Sequence, residues 1–174
     1  MAQPFPNLLE ETLDEWKWAR EQLVMEAENI PADRYDYRPN ADARSVREVV
    51  QHIIELAEMM TAVLVDPAGG FHGQDFELLI KTHGSHVSRA TTRDALLALM
   101  RQSYDRSVTR FREAGEIGML QLVTRFDGRA STRLAWLHHG IAHEQYHTGQ
   151  LTAYERAMNL EPALTQMILG KRKG

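Results

Sequence analysis

Along four long segments, apolar residues recur at three- and four-residue steps, the period that gathers them on one side of an α-helix. In the first segment, residues 7–29, Leu9, Leu13, Trp16, Leu23 and Ala27 keep this step with charged residues between them, and Pro31 lies just past its end. Residues 30–44 carry two prolines and several turn formers and read as a structured connection. Ser45, followed three residues later by Glu48, spells a capping box and opens the second helix. Val49, His52, Ile53, Leu56, Met59, Met60 and Val63 share the apolar side of that helix, which reaches about Val65. Asp66, Pro67 and the Gly69–Gly70 pair end it, because proline breaks a helix and glycine favours its C-terminal turn.

Residues 71–90 are polar and rich in His and Gly, with one apolar patch at 76–80. They predict a long loop holding one short helix, and a loop of this length is often a lid. The third long helix starts at a cap on Thr91 or Thr92 and runs to about Ala114, with Gly115 and Gly118 expected to break it. Residues 119–129 can be extended, with Asp127-Gly128 as a turn. Ser131 or Thr132 opens the fourth long helix, which reaches about Met158, and a short helix is expected beyond Pro162. Long helices with few strand signals predict an all-α architecture, a four-helix bundle with its long loop between helices two and three. Residues 1–174 are expected to form one domain.

Composition narrows the chemistry. A net charge of -4 leaves no electrostatic footprint for nucleic acid. The one basic cluster, Lys171, Arg172 and Lys173, reads as a solvated tail. With no cysteine, disulfides, thiolate ligands and a cysteine nucleophile are excluded, and any thiol chemistry must bring its thiol on a substrate. Residues 1–10 lack the basic start and apolar run of a signal peptide, and no apolar stretch approaches the ~20 residues of a membrane span. A cytoplasmic protein without membrane attachment is expected.

The fourth helix contains His143 and His147. Residues four apart lie about 40° apart around a helix, so the two imidazoles project one turn apart on one side and can reach a single ion. Trp136, His139, Gly140, Gln150 and Tyr154 share that side. His52 stands in the apolar row of the second helix, where a buried imidazole needs partners for both nitrogens and a metal can supply one. It completes a three-histidine set if the second and fourth helices are neighbours, and three neutral ligands leave a coordination position open. The remaining histidines, His72, His83, His86, His138 and His139, read as surface, loop or outer groups, with His139 nearest to the pair.

His143 to His147 also spells HExxH, in which Glu144 would be the general base of a zinc hydrolase. The extended form of that motif fails, since Gln150 and Ala153 occupy its Gly and His positions. Glu144 is also displaced about 100° around the helix from His143, away from the ion.

Three segments resemble the DinB/YfiT-like family: residues 30–39 after the first helix, residues 45–52 ending in His52, and residues 143–151, which read HEQYHTGQL. The resemblance implies a four-helix bundle, often dimeric, that holds a divalent ion through His52, His143 and His147. It departs from the pattern at Thr148, where the family usually has an arginine. Zn or Ni is the expected ion, with Fe or Mn as alternatives, because imidazole suits several transition metals. Some members use low-molecular-weight thiols, so the resemblance implies a metal-dependent thiol S-transferase with a small-molecule substrate and a homodimeric state. A non-catalytic metal or small-molecule binding bundle is the alternative reading, and an HExxH hydrolase is the third. Gln150, Tyr154 and His139 are the expected substrate-orienting groups.

Overall fold

The computed structural model describes residues 4–171; Arg172 and Lys173 of the basic tail, like the first three residues, lie outside the described residues. The described residues form six α-helices: α1 (Leu8–Asn29), α2 (Val46–Val65), α3 (Phe76–Gly84), α4 (Arg93–Met119), α5 (Arg133–Ala157) and α6 (Ala163–Ile168). The four long ones are α1, α2, α4 and α5. Each starts on a side chain that accepts a hydrogen bond from an otherwise unpaired amide: Asn7, Ser45, Thr92 and Thr132 respectively. At Ser45 the predicted capping box is complete, with Glu48 Oε2 accepting from the Ser45 amide at 2.6 Å.

The four long helices form a bundle in which α1 packs on α4 and α5, and α2 packs on the same two. Consecutive long helices α1 and α2 are therefore diagonal, as are α4 and α5. The long loop expected between helices two and three is not where the chain crosses the bundle. The connections that cross the bundle are residues 30–45 and 120–132, whereas the long segment between α2 and α4 joins neighbours. The first crossing is held by Tyr35, which is fully buried and donates to the carbonyl of Ala27 at 2.6 Å. The second carries a small antiparallel pair, β1 (Leu122–Thr124) and β2 (Ala130–Thr132), with Val123 opposite Ser131.

Two other expectations are refined. Gly115 does interrupt the third long helix, adopting φ 69° and ψ 166°, a conformation open to glycine because it has no Cβ. The chain resumes its helical path to Met119, and Gly118 does not break it. The segment 71–90 contains α3 and a 3-10 turn (Ser85–Arg89), so most of it is structured. Gly84 lets this segment close on α2, for a Cβ there would stand 3.0 Å from Glu55 Cα.

The core runs the length of the bundle in two contiguous clusters. One includes Trp16, Met60, Phe111 and Leu137; the other includes Leu23, Ile53, Met100 and Leu151. Arg133 is buried at the start of α5 and donates to the carbonyls of Leu64, Asp66 and Pro67 at 2.8, 2.5 and 2.9 Å. A guanidinium here satisfies the unpaired carbonyls at the C-terminal end of α2 and complements its negative dipole end. It also locks α5 to α2, the two helices that carry the three histidines. No described helix is long and apolar enough to cross a membrane.

Candidate metal centre

Because α2 and α5 are neighbours, His52 faces His143 and His147. The ring centroids of His52 lie 5.2 Å from those of His143 and 5.1 Å from those of His147, and the latter two are 4.4 Å apart. The Nε2 atoms of His143 and His147 are separated by 3.1 Å, and one nitrogen from each of the three rings lies within 4.8 Å of the others. Two nitrogens bound at about 2.0–2.1 Å to a tetrahedral ion stand about 3.3 Å apart, so this donor set fits one transition-metal ion without rearrangement of the helices.

The tautomer of His147 follows from a chain of hydrogen bonds. The carbonyl of Arg44 can only accept, so the Tyr154 hydroxyl donates to it, at 2.9 Å. That hydroxyl oxygen then accepts from Gln150 Nε2 at 2.9 Å, which turns Gln150 Oε1 towards His147 Nδ1 at 2.7 Å. Nδ1 must therefore carry the proton, and the Nε2 lone pair is left facing His143. Gln150 and Tyr154 thus fix the orientation of the His147 ring.

Burial is the main cause that lowers all three histidine pKa values, bringing His52 to about 4 and His143 to about 3. Arg44 and the neighbouring imidazoles act in the same direction. The rings are neutral at physiological pH, the form that binds a metal.

Glu144 turns away from the cluster into the core. Its Oε1 accepts from Trp16 Nε1 at 2.9 Å and from Arg20 Nη2 at 2.5 Å, and its Oε2 accepts from Arg20 Nε at 2.9 Å. Arg20 also donates to the carbonyl of Met100 at 2.7 Å. Both carboxylate oxygens are thus engaged in an ion pair that ties α1 to α5, and Glu144 is not poised as a general base. Thr148 is buried, with its hydroxyl donating to the Glu144 carbonyl at 2.9 Å. Among the described residues, no other histidine joins the cluster. His139 stacks on Trp136 at 4.4 Å, His138 meets Thr12 at 3.2 Å, and His86 approaches Glu58 at 3.9 Å.

A cleft of about 560 Å³ opens beside His52, lined also by Arg44, Glu55, Phe76 and Ile80. Its apolar wall comes from α3, the short helix in the predicted loop. Sequence reasoning passed over Arg44 and Glu55. The signal for Glu55 was available, since it follows His52 by three residues on the same helix.

The DinB family model matches residues 1–172 of the chain. No curated protein matches the sequence at a significant level. Among solved structures, the DinB-like protein YjoA from Bacillus subtilis is similar over 86% of this chain and 92% of its own, with a TM-score of 0.63 and 21% identity. YfiT from Bacillus subtilis, described as a probable metal-dependent hydrolase with an unusual four-helix bundle topology, is similar over 92% of this chain and 95% of its own (TM-score 0.65, 15% identity). A mycothiol-dependent maleylpyruvate isomerase is similar over 87% of this chain (TM-score 0.67, 15% identity), which spans 63% of the isomerase's length. At these identities the likeness establishes the four-helix-bundle fold.

Proposed function

The chain belongs to the DinB family, and from that premise we propose that it is a divalent-metal-dependent enzyme, a transferase that joins a low-molecular-weight thiol to an electrophilic small molecule. The observation that carries this reading is the cleft beside His52. A site sealed by apolar side chains would favour a non-catalytic binding module; here a substrate-sized space adjoins His52, one of the three imidazoles. The absence of cysteine from the chain agrees with a thiol that arrives from solution.

His52, His143 and His147 would hold the ion, which when bound lowers the pKa of a thiol or a water and so yields a nucleophile at neutral pH. The residues around it have separate tasks. Gln150 keeps His147 in the tautomer that presents Nε2. Burial keeps the ligand imidazoles unprotonated. Phe76 and Ile80 of α3 exclude water from one wall of the cleft. In the net reaction the S–H bond of the thiol and the bond from the electrophilic carbon to its leaving group break, a C–S bond forms, and the proton departs with the displaced group.

A metal-dependent hydrolase is the second reading, supported by the description of YfiT and by the same cleft. The engagement of Glu144 with Arg20 weighs against the HExxH version of it. Zn or Ni is the proposed ion, with Fe or Mn behind them, and a cytoplasmic homodimer is part of the proposal.

The test is to load the protein with Zn or Ni and incubate it with an alkylating electrophile and a panel of low-molecular-weight thiols, esters and amides. Metal-dependent thioether formation that disappears in His147→Ala supports the transferase. Ester or amide cleavage alone replaces it with the hydrolase. No turnover across the panel, or turnover unchanged in His147→Ala, rejects the enzyme reading.

A further inference from the structure

The cleft beside His52 has a charge pattern that restricts what enters it. Arg44 ends the crossing between α1 and α2, and its carbonyl is the terminus of the chain that runs through Tyr154 and Gln150 to His147. The backbone of Arg44 is thus positioned by the same hydrogen bonds that orient a ligand. Arg44 is exposed and lines the cleft together with His52, and its charge acts electrostatically on all three imidazoles and on Glu55.

The neighbouring arginines are already engaged: Arg38 pairs with Glu48, and Arg47 pairs with Asp36 at 2.9 Å. Among the described residues, the guanidinium of Arg44 makes no hydrogen bond or ion pair of its own.

The acids of the cleft do not cancel this charge. Glu48 is bound to Arg38 and to the Ser45 amide. Burial raises the pKa of Glu55 and so disfavours its ionised form. Asp42 and Glu77 lie on the exposed rim, where water and salt screen them.

From this arrangement we propose that Arg44 is the specificity residue of the site and binds a carboxylate on the thiol substrate, whose sulfur reaches the three-histidine centre. This rests on the thiol-dependent reading above and names its substrate class: small thiols that carry a carboxylate. A guanidinium presents two parallel N–H donors that match the two oxygens of a carboxylate, and the pair is stronger in a cleft with an apolar wall than in open water. The space of about 560 Å³ is lined by Arg44 and His52 together, so one molecule in it can meet both.

The probes are 3-mercaptopropionate and its neutral amide, titrated into Co-loaded protein at fixed ionic strength. Two readouts are taken in parallel. The thiolate-to-metal charge-transfer band reports whether sulfur reaches the ion, and calorimetry reports binding by any route. Wild type is expected to bind the carboxylate at least tenfold more tightly than the amide. In Arg44→Gln the ratio falls to within twofold while metal content, measured by mass spectrometry, stays at the wild-type level. Arg44→Lys retains charge but not the fork and keeps an intermediate ratio.

Equal affinities in wild type, or a preference that persists in Arg44→Gln, overturns the assignment; the wild-type ratio stands even if a variant does not fold. A carboxylate preference by calorimetry without a charge-transfer band supports Arg44 and rejects the thiol reading. A band of equal strength for both probes with no preference does the reverse. Absence of binding by either probe rejects both.

Discussion

Nδ1 of His147 donates to Oε1 of Gln150 across 2.7 Å, one helical turn along α5, and the direction of that bond is dictated, through Tyr154, by the distant carbonyl of Arg44. A ligand of the candidate metal centre is therefore oriented by a residue at the entrance of the neighbouring cleft.

Gln150→Leu removes the acceptor and leaves Nδ1 without a fixed partner. Outer-shell partners of this kind are typically worth about 10–100-fold in metal affinity. Competition titration with a chromophoric chelator should show a loss in that range, with the helical circular dichroism signal unchanged. An unaltered affinity would mean that the chain through Tyr154 has no bearing on the site.

Glu144 separates an ion-pair role from a catalytic one. Glu144→Ala leaves Arg20 buried and without its bidentate partner, and breaking such a pair costs about 3–5 kcal/mol. Denaturant unfolding is expected to show that loss, while the metal content of the folded fraction stays at one ion per chain. Glu144→Gln retains the shape and loses less. If Glu144→Gln instead folds with wild-type stability and abolishes activity, Glu144 is acting on a substrate.

Arg133 joins the end of α2 to the start of α5. Arg133→Leu strands the carbonyls of Leu64, Asp66 and Pro67, and each lost charged hydrogen bond is worth about 1.5–3 kcal/mol. A marked drop in unfolding midpoint is expected. Because both helices bear histidines, metal affinity should fall with it, as measured on protein held below its new midpoint.

A buried carboxylate at the far end of α5 makes stability depend on pH. Glu155 is fully buried; its Oε1 accepts from Asn29 Nδ2 at 2.6 Å, and among the described residues its Oε2 has no hydrogen-bond partner, with the Glu26 carboxylate nearby. Burial, then the adjacent Glu26, raises its pKa to about 8. Glu26 itself accepts from the amides of Ala163 and Leu164 at 2.6 and 3.1 Å, pinning α6. Between the ordinary glutamate value near 4.5 and about 8, the folded chain holds a proton on this group that the unfolded chain has released. Its contribution is therefore complete below pH 4.5 and lost progressively as pH rises through 8. Glu155→Gln removes that slope and should be more stable than wild type at pH 8, by on the order of a few kcal/mol. The difference between the two proteins' unfolding free energies from pH 5 to 8.5 checks this; a constant difference would show that Glu155 keeps an ordinary pKa.

The legible parts of this protein are those governed by short separations. The capping residues Asn7, Ser45, Thr92 and Thr132 act on amides three residues ahead, so the starts of the long helices could be placed within a residue or two. His143 and His147 face the same side because helical geometry alone puts residues four apart together. The charged residues in the core were not legible. Arg20 and Glu144 look like ordinary surface charges in a helical pattern, yet 124 residues apart they form the buried pair between α1 and α5. Arg133 likewise reads as an exposed first-turn residue until α2 ends against it.

By itself, the sequence determined the number of long helices, their starts and the histidine pair, because capping, proline breaks and the 3.6-residue period are properties of a single stretch of chain. Only the tertiary structure decided that α1 and α2 lie diagonally, so that α2 meets α5, His52 meets the pair, and Arg44 and α3 line a cleft beside His52. Those outcomes depend on which apolar faces bury most area against one another. That is a competition among all four helices at once, and no local pattern records its result.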